Sequence, residues 1–91
     1  MRIYNRKIDK GVDWGDYVSI MRPGPYGNPF VIGVHGDREE CLRRFELEAL
    51  PHIDIEPLRN KNLVCACHPL ACHGHIYYRA LYGVEYGRRP N

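Results

Sequence analysis

The chemistry-bearing residues of this chain are concentrated in residues 65–75, which hold three of the four cysteines and three of the five histidines. Thiolates and imidazole nitrogens bind metals, act as nucleophiles and exchange protons near neutral pH. An apolar run precedes this segment and a helical pattern of apolar residues follows it. We therefore expect function where a strand passes through a tight loop into a helix.

A metal site is the first chemistry that these residues allow. Cys65 and Cys67 on one strand face, with Cys72 and His73 from the following turn, would give a sulfur-rich tetrahedral shell for zinc, or ligands for an iron–sulfur cluster. The single residue between Cys65 and Cys67 is a narrower gap than zinc knuckles typically have. In the structural alternative, Cys65 and Cys67 are core residues and the histidines are polar caps.

Anion binding at a helix N-terminus is the second chemistry. Cys72, His73 and Gly74 occupy the predicted first turn of a helix, where unpaired N–H groups and the helix dipole attract a phosphate or carboxylate. Gly74 would let the anion approach the backbone. Cys72 would be a partly ionised nucleophile or a hydrogen-bond donor, with His73 or His75 as acid or base.

Two elements must position this segment. Leu63–Cys67 is apolar without alternation, which predicts a short strand buried on both faces, and Pro69 ends it because proline donates no hydrogen bond. From Cys72 the apolar residues recur at helical spacing, and Gly83 is a suitable left-handed C-cap after Tyr82.

A rigid loop supplies further candidate contacts. Arg22–Pro29, R-P-G-P-Y-G-N-P, contains three prolines and two glycines and can form neither a helix nor a strand. Such a loop holds side chains in fixed positions, so Arg22, Tyr26 and Asn28 are candidate ligand contacts. In the alternative interpretation it is only a turn, in which Gly27 and Asn28 supply a positive φ.

The remaining sequence predicts the scaffold. We expect an edge strand within Met1–Lys7 and further strands at Asp16–Met21 and Phe30–Val34. Asp37, followed three residues later by a glutamate, predicts the start of a helix that ends before Pro51. A helix between two strands implies a parallel pair, so the fold class is α/β, a small, partly parallel sheet with two main helices.

Length and composition limit the classes of function. The 91 residues suffice for one core, and we expect a single domain over 1–84 and a flexible tail over 85–91. The formal net charge of +2 does not favour a nucleic-acid partner. No apolar run is long enough to span a bilayer or to form a signal peptide, so we expect a cytoplasmic protein and no membrane partner.

Two motifs, taken in order, resemble a known family. R-P-x-x-Y-G-N-P-F at Arg22–Phe30 and L-x-C-x-C-x-x-x-x-C-H-G at Leu63–Gly74 are similar to the domain of unknown function 4326 family, small proteins of bacteriophages and bacteria. By position, the family's motif residues are Arg22, Gly27, Asn28, Pro29, Cys65, Cys67, Cys72, His73 and Gly74. Ala66 and His75 depart from its pattern, which commonly has an aromatic and an acidic residue there.

The Cys-His end also resembles domain of unknown function 488, with Cys67 in the position of a glutamate. Both resemblances imply an α/β sandwich with a ligand site at the carboxyl end of a strand. We therefore expect the Arg22–Pro29 loop and the Cys67–His75 turn to form two walls of one pocket that binds a phosphorylated small molecule, preferably a nucleotide. The expected ligand contacts are Arg22, Tyr26, Gly27, Asn28, Cys67, Gly74 and His75, with Tyr26 stacking on the ligand.

Catalysis would be a further step, with Cys72 as nucleophile and His73 beside it. Two other functions remain open. One is the zinc or iron–sulfur module, with Cys65, Cys67, Cys72 and His73 as ligands. The other is a phage interaction protein that binds and modulates a host enzyme in the host-cell cytoplasm.

Overall fold

The computed structural model describes residues 1–9, 11, 13, 15–22, 24–66, 70 and 72–86. Along them lie strands β1 (Ile3–Asn5), β2 (Tyr17–Ser19) and β3 (Asn62–Cys65), and helices α1 (Arg38–Arg44) and α2 (His73–Tyr82). Helix α1 continues into a π-helical turn (Phe45–Ala49) and a 3₁₀ turn (Leu50–His52), and a second 3₁₀ turn (Glu56–Leu58) precedes β3. The α/β class is confirmed.

The sheet has the order β1-β3-β2, and both pairs are parallel. Leu63 of β3 lies opposite Ile3 on one side and Val18 on the other. The apolar run therefore forms the central strand, and Leu63, Val64 and Cys65 are all buried. This confirms a strand buried on both faces over Leu63–Cys65, with β1 and β2 at the edges. The predicted strand extended to Cys67, but Ala66 lies beyond the observed strand and Cys67 is outside the described residues.

The predicted strand at Phe30–Val34 is wrong. The N–H groups of Val34 and His35 both donate to the Val31 carbonyl, at 3.0 and 2.8 Å, and Gly33 has a φ of +88°, so the chain forms a turn. The Val31 N–H also donates to His35 Nδ1 at 2.8 Å. Val34 is 75% exposed, so most of this apolar run gains no burial that would favour a strand.

Helix α1 begins where the sequence predicts it. Asp37 is the N-cap, and its Oδ1 accepts a hydrogen bond from the Glu40 N–H at 2.8 Å. The Glu40 carboxylate binds Arg43 instead of returning to the Asp37 backbone, so only half of the predicted capping box forms. Pro51 lies within the 3₁₀ turn that ends the helical segment. The crossover through α1 joins β2 to β3, in place of the wrongly predicted strand.

Helix α2 packs its apolar side onto the sheet. Tyr77 and Phe45 have no exposed surface, and their rings meet edge to face with centroids 5.3 Å apart. Gly83 adopts a φ of +74° as the C-cap, which confirms the predicted end of the helix. The core thus lies between one face of the sheet, α2 and the buried side of the α1 segment.

The start of the predicted tail packs against the domain. The Tyr86 hydroxyl accepts a hydrogen bond from the Ile3 N–H at 3.1 Å. Asp9 Oδ2 likewise accepts one from the Asn5 N–H at 2.8 Å. Side chains therefore satisfy two backbone donors of β1 that point away from the sheet. Residues 87–91 lie outside the described part of the chain.

None of the described helices combines the length and apolar character that crossing a bilayer requires.

Candidate functional site

A cavity of about 330 Å³ lies at the carboxyl edge of the sheet. Residues 20–22, which follow β2, and residues 65–66, at the end of β3, form part of its lining. The loop after β2, the start of α2 and one side of α1 complete the walls. In a parallel sheet this edge, beyond the carboxyl ends of neighbouring strands, is the usual place for a ligand site.

The loop folds back on Arg22. Arg22 Nη1 donates to the Asn28 carbonyl at 2.8 Å and lies 3.4 Å from the Phe30 carbonyl. A Cβ on Gly27 would lie 2.9 Å from the Arg22 backbone nitrogen, so this close approach requires glycine. Neither Gly27 nor Asn28 has a positive φ, so the interpretation of the loop as a turn that needs one is wrong.

Asn28 is a buried polar residue of the cavity wall. Its side chain lines the cavity, the residue is 9% exposed, and its Oδ1 accepts the Phe30 N–H at 2.9 Å. Within the described part of the chain, its Nδ2 donates to no protein acceptor. A buried amide donor without a protein partner costs free energy unless water or a ligand accepts from it.

The charged residues that line the cavity, among those described, are all positive. Arg22 and Arg38 both line it, and none of the described lining residues is Asp or Glu. Arg22 forms no ion pair with any residue that the structure describes. The site therefore presents cationic and amide donors to a bound group, which suits an anion.

A clamp of three hydrogen-bond contacts fastens α2 to Ile20 and to the loop that follows it. His73 Nε2 lies 2.7 Å from the Ile20 carbonyl oxygen and 3.1 Å from that of Tyr26. The Tyr77 hydroxyl donates to the same Tyr26 oxygen at 2.8 Å. Because His73 Nε2 faces two acceptors, it carries a hydrogen and acts as a donor.

This clamp uses groups that the sequence assigns to the ligand. The Tyr26 ring packs edge-on against Tyr77, with centroids 6.3 Å apart, and does not line the cavity. His73 borders the cavity but is 7% exposed, and its Nε2 is engaged by the clamp. Burial raises the pKa of Tyr77, which keeps its hydroxyl protonated as a donor.

Cys65 and Cys72 meet at the floor of the cavity. Cys65 is the last residue of β3 and Cys72 is the N-cap of α2, and their Sγ atoms are 3.9 Å apart. Both are thiols, they are 1% and 2% exposed, and both contribute to the cavity lining. The Cys72 side chain makes no capping hydrogen bond to the helix.

The metal interpretation depends partly on Cys67, which lies outside the described residues. Among the residues that are described, no group of three or more His, Cys, Asp or Glu side chains is arranged to hold a metal ion. His73 Nε2, one possible ligand atom, already faces two carbonyl oxygens.

Gly74 and His75 do not line the cavity. A Cβ on Gly74 would lie 2.9 Å from Ile20 Cδ1, so the glycine lets α2 pack closely on the sheet. The His75 ring stacks on Tyr86, with centroids 5.4 Å apart and planes 14° from parallel. The structure thus gathers Arg22, Asn28, Cys72 and His73 around one cavity and places Tyr26, Gly74 and His75 elsewhere.

Sequence reasoning missed the three residues that α1 brings to the cavity, Arg38, Cys41 and Leu42. A helix that follows a parallel strand begins at the carboxyl edge of the sheet, so the position of Arg38 directly after the Asp37 cap was a usable signal. Phe30 was also missed as a wall residue. The Arg44 guanidinium covers its ring, with Cζ 4.5 Å from the centroid.

Comparisons with known proteins give one family and one relative. The model of a family described as Domain of unknown function (DUF4326) matches residues 4–82. A protein of Enterobacteria phage T4, described as an uncharacterized 12.4 kDa protein in the nrdA-td intergenic region, is 29% identical over 73 residues. The match covers 80% of this chain and 63% of the relative, less than two thirds of its length. No solved structure matches significantly.

Proposed function

The chain belongs to the domain of unknown function (DUF4326) family, and we propose that its cavity binds a phosphorylated small molecule, a mononucleotide by preference. The observation that carries the proposal is the donor set of the cavity. Arg22 and the buried Asn28 amide both line it, and no carboxylate of the described residues pairs with Arg22. We place this activity in the cytoplasm, which is that of the host cell if a phage encodes the chain.

Arg22 is suited to hold the phosphate. Its contacts to the Asn28 and Phe30 carbonyls use Nη1, which fixes the guanidinium plane and leaves Nε and Nη2 for a ligand. A guanidinium held in this way can donate two parallel hydrogen bonds to a phosphate. Asn28 Nδ2 would supply a further donor from the buried wall of the same cavity.

The size and the apolar wall of the cavity support a mononucleotide. Ligand sites commonly have volumes of about 300–1,000 Å³, and the observed volume of about 330 Å³ lies at the small end. Phe30, Val31 and Ile32 provide an apolar wall on the same loop as Asn28. A sugar or base can pack there while the phosphate contacts Arg22.

The proposal is for binding and does not extend to chemistry at Cys72. The thiol is 2% exposed at the cavity floor, and the neighbouring His73 already donates from Nε2 to backbone carbonyls. His73 is therefore not arranged to exchange protons with a ligand through that atom.

The test is a calorimetric titration of the protein with inorganic phosphate and, separately, with adenosine and uridine 5′-monophosphates. Replacing Arg22 by Gln should weaken binding by about 10- to 100-fold, because a hydrogen bond to a charged group contributes about 1.5–3 kcal/mol. Arg2→Gln is the matched control. It removes the same charge next to β1, before the strand begins, and should leave the affinity unchanged.

Two results would reject the proposal. One is a titration that shows no heat of binding at millimolar phosphate and nucleotide, together with nuclear magnetic resonance spectra in which the amide chemical shifts of the cavity residues do not change. The other is equal binding by wild type and Arg22→Gln. In either case a host protein partner becomes the better proposal, to be tested by purification of a stoichiometric complex.

A further inference from the structure

We propose that Cys65 and Cys72 form a dithiol site that a peroxide oxidises to a reversible intramolecular disulfide. The proposal starts from the distance of 3.9 Å between their Sγ atoms. Both side chains are buried, and both border the same cavity. The expected oxidant is hydrogen peroxide, which is small and uncharged and can enter that cavity.

The geometry favours this pair. A disulfide has an S–S distance of about 2.04 Å, so the sulfurs must approach by about 1.9 Å. One residue ends β3 and the other caps α2, so each backbone is held by regular structure. Rotation of the two side chains about their Cα–Cβ bonds changes the distance between the sulfurs while the strand and the helix stay in place.

Cys72 is the better site for the first attack. It lies at the N-terminal end of α2, where the helix dipole stabilises the negative charge of an attacking sulfur and offsets part of the cost of its burial. The Cys72 thiolate attacks one peroxide oxygen and the O–O bond breaks. The products are a sulfenic acid on Cys72 and a hydroxide, which takes up a proton to become water.

Cys65 then resolves the sulfenic acid. Its sulfur attacks Cys72 Sγ, the S–O bond breaks, and the departing hydroxide leaves as water with the Cys65 proton. In total the two thiols lose two protons and two electrons, and one peroxide is reduced to two waters. A dithiol reductant reverses the change by thiol–disulfide exchange.

The other thiols are distinguishable from this pair. Cys41 also lines the cavity, but its Sγ donates to the Gly36 carbonyl at 3.6 Å, within its own helix start. Cys67 lies outside the described residues and is the natural competitor for either partner. The proposal therefore predicts which two of the four cysteines become linked.

Oxidation would also change the lining of the cavity in which we propose that the anion binds, because Cys65 and Cys72 both contribute to that lining. This consequence rests on the proposed function, and we expect oxidised protein to differ from reduced protein in affinity for inorganic phosphate. The disulfide itself does not depend on ligand binding. Mass spectrometry and calorimetry therefore test the two proposals separately.

The experiment treats the reduced full-length chain with a small excess of hydrogen peroxide and then blocks the remaining thiols with iodoacetamide in denaturant. Reduction and a second label, N-ethylmaleimide, then mark the cysteines that were linked. Chymotryptic cleavage after Leu70 separates Cys65 and Cys67 from Cys72 for mass spectrometry. We expect N-ethylmaleimide on Cys65 and Cys72, and an intact oxidised mass lower by two hydrogen atoms.

Variants sharpen the assignment. The C41S/C67S protein keeps only the proposed pair and should lose both thiols to peroxide and regain them with dithiothreitol. In C65S/C67S, which lacks both the proposed partner and its competitor, the reaction should stop at a Cys72 sulfenic acid that dimedone traps. The wild-type map decides the question even if this variant does not fold.

Three results would overturn the proposal. They are four iodoacetamide-labelled cysteines after peroxide, a linked pair that includes Cys67, and a Cys72 sulfinic acid in place of the disulfide. Unchanged phosphate affinity after complete oxidation would remove only the coupling to the proposed function.

Discussion

Replacing Tyr77 by Phe removes one hydroxyl from the clamp that fastens the Arg22–Pro29 loop to α2. In the wild type this hydroxyl donates to the Tyr26 carbonyl at 2.8 Å, and Tyr77 has no exposed surface. Water therefore cannot readily take its place. The substitution keeps the ring and its contacts with Phe45 and Tyr26, so it isolates the hydrogen bond.

The expected cost follows from what remains. The Tyr26 oxygen still accepts from His73 Nε2 at 3.1 Å, so the carbonyl is not left without a donor. The loss should then be that of one net hydrogen bond, about 1 kcal/mol in the free energy of unfolding. For a domain of this size, that corresponds to a melting temperature lower by about 4–8 °C.

The assay is thermal and urea unfolding followed by circular dichroism. Tyr78→Phe is the matched control on the same helix: its ring contacts Tyr82 and Tyr86, and its hydroxyl has no hydrogen bond to any described residue. Its stability should stay within about 0.5 kcal/mol of the wild type. Amide resonances of the Arg22–Pro29 loop should shift in Tyr77→Phe and not in the control.

The reasoning is refuted if Tyr77→Phe unfolds at the wild-type temperature, or if both variants lose the same stability. Either result would mean that the Tyr26 carbonyl is satisfied without Tyr77 and that the loop is held by other contacts.

Three further outcomes follow from the same structure. Burial raises the pKa of Tyr77 above 10.0, and the unfolded phenol ionises first. Above about pH 10 the wild type should therefore lose up to about 1.4 kcal/mol per pH unit relative to Tyr77→Phe, measured by urea unfolding. Asp37→Ala should cost about 1 kcal/mol by removing the cap of α1, whereas Asp37→Asn, which keeps an acceptor, should stay near wild type in the same measurement. Gly74→Ala should lower the melting temperature, because overpacking against Ile20 at 2.9 Å, which costs about 1–3 kcal/mol, exceeds the gain in helix propensity of up to about 1 kcal/mol.

The family and the fold class could be predicted from the sequence. The two motifs around Asn28 and Cys72 identify the family whose model matches residues 4–82. The unbroken apolar run around Val64 became the central strand, and Gly83 ends α2 in the left-handed conformation. These signals are local, since each depends on a few adjacent residues and on their intrinsic conformational preferences.

The site could be predicted only in part. The sequence indicated that Arg22, Asn28 and Cys72 belong together, and the structure places these three residues around one cavity. The sequence did not indicate that the loop would be held through the Tyr26 carbonyl, or that the His75 ring would stack on Tyr86. Side-chain direction depends on neighbours from distant parts of the chain.

The sequence by itself determined the central strand, the two helices with their caps, and the type of chemistry available, because these are set by residue types over a few positions. Only the tertiary structure decided that Phe30–Val34 is a turn, that Arg38 joins Arg22, and that Cys65 meets Cys72. The clamp shows the physical reason: His73 meets Ile20 across 53 positions of sequence, and Tyr77 meets Tyr26 across 51. Contacts of that range depend on burial and on available partners, which become defined only when the whole chain packs.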